Sequence, residues 1–324
     1  MARVLKALLT LCCMFPLAVQ SQLFRDWIHG NGEHPRIGVQ VKIERFTSED
    51  ARRIKLAGFA FVRLGVWSNA MQNVAYRERV ARAFEAAHAA GLPVIVTTRS
   101  TVPLVQFAAD HDTQVRQLHM AGVELAQVVK KLVGAYGNDV LAVELWNEPE
   151  WQKYWPTGDV DSTFPVYMSA LCKELAPIRS SINLIGFGFA TAPLAGSTSD
   201  RLLRSVEAAV PHCLDAVSWH VYGKSVSEIR QASEYVRAQY GLPTVITEWG
   251  ASAGTPGGGS GQASAFRLFM AKRSAFGAPL ISIYEWQDTA TAQNEKERQF
   301  GLVDARGEQK PALEVVRRIF GATK

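Results

Sequence analysis

The sequence has 324 residues, of which 48% are hydrophobic and 20% charged, and its formal net charge at pH 7 is +5. This is the composition of an ordinary globular protein, long enough for one large α/β barrel or two medium-sized domains. The charge is too small to indicate nucleic acid binding, which needs a concentrated basic face. It is compatible with an acidic polysaccharide as a substrate but does not indicate one.

Residues 1–21 have the order of an export signal. Arg3 and Lys6 make a basic start, Ala7–Val19 is a short apolar run, and residues 19–21 offer a cleavage point. The apolar run is shorter than the roughly 20 residues of a transmembrane helix. A buried first helix is the alternative, but the order favours export. We therefore expect a secreted or periplasmic protein with no membrane segment once residues 1–21 are removed.

Two cysteines, Cys172 and Cys213, follow the predicted signal. In an exported protein they can pair, but pairing depends on a Cα separation that the sequence does not give. Two buried free thiols are an alternative of equal weight.

From residue 36 onward, apolar strand-like runs alternate with amphipathic helix-like runs. The predicted strands are Arg36–Ile43, Phe61–Trp67, Leu92–Thr98, Val140–Asn147, Asn183–Phe189, Leu214–Val221, Pro243–Glu248 and Leu280–Trp286. The predicted helices are Ser48–Gly58, Tyr76–Ala90, Thr113–Ala135, Val166–Arg179, Arg201–Val210, Ser227–Tyr240, Gln262–Phe276 and Ala312–Phe320. Thr47 or Ser48 is the predicted cap of the first helix.

Strands this continuously apolar are typical of a parallel sheet that is covered on both faces. Eight strand–helix units predict a closed (β/α)₈ TIM barrel, in a single α/β domain that spans residues 22–324. A doubly wound open sheet is the rival, but no Gly-x-Gly-x-x-Gly turn follows an early strand. The glycine-rich stretch 254–261 is predicted to be a flexible flap in the loop after strand seven.

Two glutamates, Glu148 and Glu248, each end an apolar strand-like run. Glu148 lies in Val-Glu-Leu-Trp-Asn-Glu-Pro (143–149), and Glu248 lies in Val-Ile-Thr-Glu-Trp-Gly (245–250). A charge in such a place is costly unless it is paired or used. At the ends of strands four and seven, the two carboxylates face each other across the barrel mouth, and a facing pair is the working pair of a glycoside hydrolase.

Further polar and aromatic residues lie in or at the ends of the same strands: Arg63, Trp67, Asn147, His220, Tyr222 and Trp286. Functional residues collect at this end of barrel strands. Structural interpretations remain open for some of them. Arg63 can neutralise Glu144 or Glu285 inside the barrel. His220 and Tyr222 can be core residues whose polar atoms are satisfied by the backbone.

Three aromatic residues, Trp151, Tyr154 and Trp155, cluster beside Glu148 in the loop after strand four. Exposed aromatic rings at a cleft rim can stack on sugars, and packing at the rim explains them nearly as well. Trp286 is open to the same structural interpretation, since aromatic residues fill cores routinely. The histidines show no metal-ligand spacing, and we expect neither a metal nor a cofactor.

Several short motifs, in order along the chain, resemble those of glycoside hydrolase clan A, whose barrels carry the catalytic glutamates on strands four and seven. The matching motifs are Val-Arg-Leu-Gly (62–65), Leu-Trp-Asn-Glu-Pro (145–149), Ser-Trp-His-Val-Tyr (218–222), Thr-Glu-Trp-Gly (247–250), Tyr-Glu-Trp-Gln-Asp (284–288), Phe-Gly-Leu-Val-Asp (300–304) and Lys-Pro-Ala (310–312). The fold and tail are most similar to the cellulase-like family 5 and to family 39, which includes hydrolases of bacterial exopolysaccharides.

The resemblance implies a retaining mechanism with Glu148 as acid/base and Glu248 as nucleophile. Arg63 and Tyr222 are then expected to keep Glu248 ionised by charge and hydrogen bonding. Glu148 is expected to stay protonated, helped by the apolar ring of Trp146.

The sugar-binding roles also follow from the resemblance. Asn147 is expected to bind the sugar 2-hydroxyl, Trp286 to form the floor under the reacting sugar, and His220 to help bind it. Trp67 and Trp151 are further predicted contacts. Family 5 cellulases often carry a histidine pair after strand three, whereas this strand ends in Thr97-Thr98-Arg99. That departure argues against plain cellulose as the substrate.

The predicted function is a retaining hydrolase of O-glycosidic, β-linked bonds that is endo-acting on a bacterial exopolysaccharide or soluble β-glycan. We expect a monomer that binds a poly- or oligosaccharide. A non-catalytic polysaccharide-binding barrel is an alternative, although a binder has no need of an acid. A transglycosylase that uses the same two glutamates is another.

Overall fold

Eight parallel strands close into a barrel in the computed structural model, which describes residues 17–29 and 34–321. Each strand pairs with its sequence neighbours, and the last pairs with the first. The strands are β1 (Arg36–Val41), β2 (Phe61–Trp67), β3 (Val94–Arg99), β4 (Val140–Leu145), β5 (Leu184–Phe189), β6 (Ala216–His220), β7 (Thr244–Trp249) and β8 (Leu280–Ile283). The predicted single-domain (β/α)₈ barrel is confirmed.

The helices alternate with the strands as predicted, with one more before the barrel and a short one after β8. They are α1 (Leu17–Ile28), α2 (Ser48–Ala57), α3 (Val74–Ala89), α4 (His111–Tyr136), α5 (Val160–Leu175), α6 (Thr198–Ala209), α7 (Val226–Tyr240), α8 (Gly258–Ala271), α9 (Glu295–Arg298) and α10 (Pro311–Gly321). Short 3₁₀ turns occupy Ser68–Ala70, Ala176–Ile178 and Arg273–Phe276. None of these helices has both the length and the apolar character of a membrane span.

Local chemistry explains where several helices begin and end. Thr47 caps α2 in a capping box with Asp50, and Gly58 ends that helix in the left-handed conformation. Asp159 caps α5, which begins six residues before the predicted start.

The glycine-rich stretch 254–261 is not the continuous loop that was predicted. Residues 258–261 form the first turn of α8, where the Gly261 N–H donates to the Gly257 carbonyl at 2.8 Å. The helix extends back into the glycines because Phe266 and Met270 are buried further along it. The buried Gln262 amide also ties the helix start to the Ala251 carbonyl at 3.0 Å.

Helix α1 covers the amino-terminal opening of the barrel. Its Phe24 and Ile28 are buried in a cluster that shares Phe61, Leu141 and other residues from the beginnings of the strands. The predicted cleavage point at residue 21 therefore falls inside this helix. The remainder of the predicted export signal, residues 1–16, lies outside the described residues.

Cys172 on α5 and Cys213 before β6 form a disulfide, with their Cα atoms 5.6 Å apart. This resolves the alternative between a bridge and free thiols. Both residues are buried in the layer between helices and strands, and the bridge closes a long chain loop, with a sequence separation of 41.

We predict that replacing both cysteines with alanine lowers the free energy of unfolding by roughly 4 kcal/mol, because a cross-link of this span restricts the unfolded chain. The measurement is urea unfolding without reductant. As a control, reductant should lower the stability of the wild type to that of the variant and leave the variant unchanged. A wild type whose unfolding midpoint ignores full reduction contradicts the prediction.

Candidate active site

Glu148 and Glu248 come together at the carboxyl-terminal mouth of the barrel, with His220 between them. One carboxylate oxygen of each glutamate and a ring nitrogen of His220 all lie within 4.8 Å of one another. His220 Nδ1 is 2.7 Å from Glu148 Oε1 and 3.7 Å from Glu248 Oε2. The carboxylates are thus nearer to the about 5–5.5 Å of retaining glycosidases than to the about 6.5–9.5 Å of inverting ones.

The backbone after β4 bends sharply to present Glu148. Trp146 and Glu148 have φ angles of 94° and 52°, which non-glycine residues rarely adopt. The Glu148 N–H donates to the Gly188 carbonyl at 2.9 Å, and this bond fixes the bend. Gly188 itself has φ +57°, and a Cβ there would approach Glu144 Oε1 to 3.2 Å. Such strain persists where the surroundings determine it, commonly at functional sites.

Arg63 on β2 joins the site from below. Its Nε donates to Glu144 Oε2 at 2.8 Å, its Nη1 donates to Glu248 Oε1 at 2.5 Å, and its Nη2 donates to Asn147 Oδ1 at 2.9 Å. Arg63 therefore both neutralises Glu144 and holds Glu248, and Glu285 is paired instead with Lys42 and Arg45. Arg63 was predicted to contact the substrate. Its side chain is instead buried, so it positions Glu248 and Asn147 and does not itself line the cleft.

The charges in this network reinforce one another. Burial alone raises the pKa of Glu144, but the charges of Arg63 and His220 and hydrogen bonds such as that from Thr97 together outweigh burial and hold the pKa below its ordinary value. Burial lowers the pKa of Arg63, while Glu144 and Glu248 more than offset this and raise it. Burial and the charge of Glu248 raise the pKa of Tyr222 well above its ordinary value. The neutral Tyr222 hydroxyl donates to Glu248 Oε2 at 3.3 Å.

His220 contacts the glutamates instead of the open cleft. Its ring is buried, and within the described part of the chain its Nε2 has no hydrogen-bond partner. Burial lowers its pKa, but Glu248 and Glu148 outweigh this and raise the pKa above the ordinary histidine value. A protonated His220 donates to Glu148, so the structure shows a contact with Glu148 where a direct contact with sugar was predicted.

A cleft of about 370 Å³ opens above the two glutamates. Its lining residues are Gln40, Lys42, Trp67, Arg99, Asn147, Glu148, Tyr154, Tyr222, Glu248, Tyr284, Lys296, Glu297 and Phe300. Trp67, Asn147 and Tyr222 are lining residues that the sequence predicted. Arg99 and Tyr284 were missed as site residues, although Arg99 is the last residue of β3, Tyr284 directly follows β8, and each lies in a motif singled out above.

Two of the predicted tryptophan contacts lie elsewhere. Trp286 is 2% exposed, and its indole N–H donates to Asp50 Oδ1 at 3.0 Å. It packs under the strand end, and Tyr284 lines the cleft instead. Trp151 is 54% exposed and is not among the lining residues. Trp155, in the same loop, is buried against Trp146.

Among the described residues, Glu148, His220 and Glu248 are the one group of three acidic, histidine or cysteine side chains close enough to share a cation. Hydrolysis by a carboxylate pair requires no metal, since one carboxyl supplies the proton and the other the nucleophile.

Comparison with models of known protein families finds no match for this chain, and comparison with curated proteins finds none. Solved structures do match. A family 39 glycoside hydrolase from Bacteroides cellulosilyticus WH2 shares 18% identity at a TM-score of 0.67, over 91% of this chain and 65% of that one. A GH5_18 structure from Bifidobacterium longum subsp. infantis shares 14% identity at a TM-score of 0.64, over 89% of this chain and 79% of that one.

An exo-β-1,4-mannosidase from Opitutaceae bacterium strain TAV5 shares 14% identity at a TM-score of 0.64, over 89% of this chain. This chain spans 59% of the mannosidase and 65% of the family 39 structure. At such identities the likeness establishes the shared barrel fold. Families 5 and 39 are also those that the motifs resemble, so the resemblance to clan A barrels is supported at the level of the fold.

We predict that Arg63→Met destabilises the protein by about 3–5 kcal/mol, because it leaves the buried Glu144 unpaired. In Arg63→Met/Glu144→Gln, part of that stability should return, but any catalytic activity of the carboxylate pair should stay low because Glu248 still lacks its guanidinium. Urea unfolding and kcat/KM on one substrate measure the two effects. Arg45→Met is the matched control, since Lys42 still pairs with Glu285. Recovery of activity in the double variant contradicts a positioning role for Arg63.

His220 should make stability depend on pH in a defined direction. Because its pKa in the folded protein is raised above the unfolded value of about 6.5, its contribution is fully present below that pH and is lost as pH rises through the folded pKa. The difference in unfolding free energy between wild type and His220→Gln should therefore be larger at pH 5.5 than at pH 9.5. His88→Gln should change little, since His88 is exposed and its bond to Asp139 is screened. A pH-independent His220 difference contradicts the assignment.

Proposed function

We propose that the protein is a retaining O-glycosyl hydrolase of β-linked glycans. The observation that supports this most strongly is the carboxylate pair. Glu148 and Glu248 lie within 4.8 Å of each other at the barrel mouth, and each is held by its own buried cationic or titratable partner, His220 and Arg63. A binding barrel has no need of an oriented acid beside an oriented nucleophile.

In the first step, a Glu248 oxygen attacks the anomeric carbon and forms a glycosyl–enzyme bond, while Glu148 gives its proton to the departing glycosidic oxygen. In the second step, Glu148 takes a proton from water, and that water oxygen displaces Glu248. Arg63 and Tyr222 stabilise the Glu248 carboxylate when it leaves, and His220 donates to Glu148 while that group is ionised. Asn147, held by Arg63, is placed to bind the sugar beside them.

We further propose that the enzyme acts within chains. The catalytic cleft shares Gln40, Lys42 and Trp67 with a second cavity of about 510 Å³ over the ends of β1, β2 and β8. Each of the two volumes lies within the roughly 300–1,000 Å³ of sites for drug-sized ligands. Adjoining cavities of this size can accommodate several consecutive sugar rings, which favours a soluble polysaccharide such as a bacterial exopolysaccharide over a single terminal residue.

An extracytoplasmic location is part of the proposal. The disulfide between Cys172 and Cys213 supports it, because structural disulfides persist mainly in oxidising compartments. The signal-like order of residues 1–21 supports it independently. Fractionation of cells that express the full-length chain, followed by mass determination of the mature amino terminus, tests both points. Cytoplasmic protein with an intact amino terminus contradicts this location.

Glu148→Gln and Glu248→Gln should each lower kcat by at least about 100-fold on soluble β-glucans, mannans, xylans or exopolysaccharides. Glu150→Gln is the matched control, since Glu150 accepts bonds from Thr191 and Ser199 away from the cleft. With azide added, Glu148→Ala should yield a glycosyl azide of retained configuration and Glu248→Ala one of inverted configuration. NMR of the products distinguishes the two roles.

Viscosity should fall before many reducing ends appear if cleavage is internal. Release of one sugar at a time would restrict the proposal to exo action. Products longer than the substrate would identify a transglycosylase. No cleavage of any glycan, with binding intact in both glutamate variants, would leave a non-catalytic binding barrel.

A further inference from the structure

Arg99 occupies an unusual place in the wall of the catalytic cleft. It is the last residue of β3, and its guanidinium lies 4.7 Å from the ring centre of Trp67 and 5.1 Å from that of Tyr154. These two rings and Arg99 line the cleft together with Glu148 and Glu248. Cation–π contacts with two rings hold the guanidinium in place in the cleft wall.

The hydrogen-bonding capacity of Arg99 is largely unused. A guanidinium has five N–H donors. Among the described residues, the Arg99 bond to protein is from Nη1 to the Ser100 carbonyl at 3.2 Å, and its Nε is buried without a partner. Arg63, in contrast, contacts two carboxylates and two amide oxygens. A half-buried cation with free donors is costly unless a ligand completes it.

Balance of the catalytic charges does not account for Arg99. Neither Glu148 nor Glu248 lies within salt-bridge distance of it, whereas Arg63 contacts Glu248 directly. Burial lowers the pKa of Arg99, and Tyr154 and the two glutamates oppose this only by longer-range attraction. The other cations of the cleft differ: Lys42 is already paired with Glu285 at 3.1 Å, and Lys296 is exposed on α9 beside Glu297.

We propose that Arg99 binds a carboxylate on the substrate, so that the glycan is acidic and carries its carboxylate on a sugar near the scissile bond. This rests on the proposed glycosidase function. A carboxylate accepts two parallel bonds from a guanidinium edge, a geometry that neither a neutral hydroxyl nor a lysine reproduces. Trp67 and Tyr154, already flanking the guanidinium, supply apolar faces for the same sugar.

The test compares a soluble glucuronic acid-containing β-glycan with the same glycan after carbodiimide–borohydride reduction, which converts its carboxylates to hydroxyls. Wild-type kcat/KM should be roughly 10- to 100-fold higher on the acidic form. Arg99→Gln should lose that preference, so that its kcat/KM is no higher on the acidic form than on the reduced form. Arg99→Lys should keep part of the preference. Arg53→Gln, which removes an arginine stacked on Trp286 outside the cleft, should behave as wild type.

Calorimetric measurement of glycan binding to the Glu248→Gln variant distinguishes the inference about the substrate from the proposed hydrolase activity. If no glycan is cleaved, but this variant binds the acidic form at least tenfold more tightly and Arg99→Gln abolishes the difference, the substrate inference stands and the hydrolase fails. Equal cleavage of both forms overturns the inference and leaves the hydrolase intact, whereas equal binding of both forms without cleavage overturns both proposals. Absence of binding to either form also overturns the inference.

Discussion

The active site depends on one buried guanidinium. Arg63 donates hydrogen bonds to Glu144 on β4, to Glu248 on β7 and to Asn147, which follows β4. Burying such a network gives little net stability, because removing the charges from water costs about as much as their attraction returns. Its effect is geometric. Three side chains, from β4, β7 and the segment that follows β4, take fixed positions relative to one donor, so the protein itself sets the orientation of Glu248.

The charges of the site are also graded by depth. The side chain of Glu144 is fully buried and that of Arg63 is 2% exposed, whereas Glu248 and Glu148 are 11% and 16% exposed. The deepest carboxylate exchanges no proton and anchors the arginine. Glu248 lies one layer above, bonded to the Arg63 guanidinium. Glu148 is the most exposed of the three, which suits the acid/base role that we propose for it.

The sequence predicted the barrel and its two glutamates because both depend on local patterns. Continuous apolar runs identify buried strands, and strand order fixes which ends face each other across the mouth. The depth at which each side chain lies in the barrel, in contrast, does not depend on local sequence patterns. Strand β8 ends at Ile283, so Trp286 lies beyond the regular alternation and turns under the strand end. Register shifts after Trp219 in β6 and after Ile246 in β7 likewise set the height of His220 and Glu248. The sequence of a single strand does not indicate where its pairing register shifts against the neighbouring strand.

Substrate choice in this fold is determined by the strand ends and not by the barrel, which serves many substrates. Arg63 and His220 are buried and bond the inner carboxylates, so they contribute little to the cleft wall. The residues of the cleft wall therefore determine which glycan binds. A cation in that wall contributes more to binding the less it is neutralised by the protein's own carboxylates. Lys42 is compensated by Glu285, but Arg99 stacks on two rings that offer no full countercharge. An anionic group on the sugar gains the most binding free energy beside Arg99, because a half-buried guanidinium is screened by water far less than an exposed one.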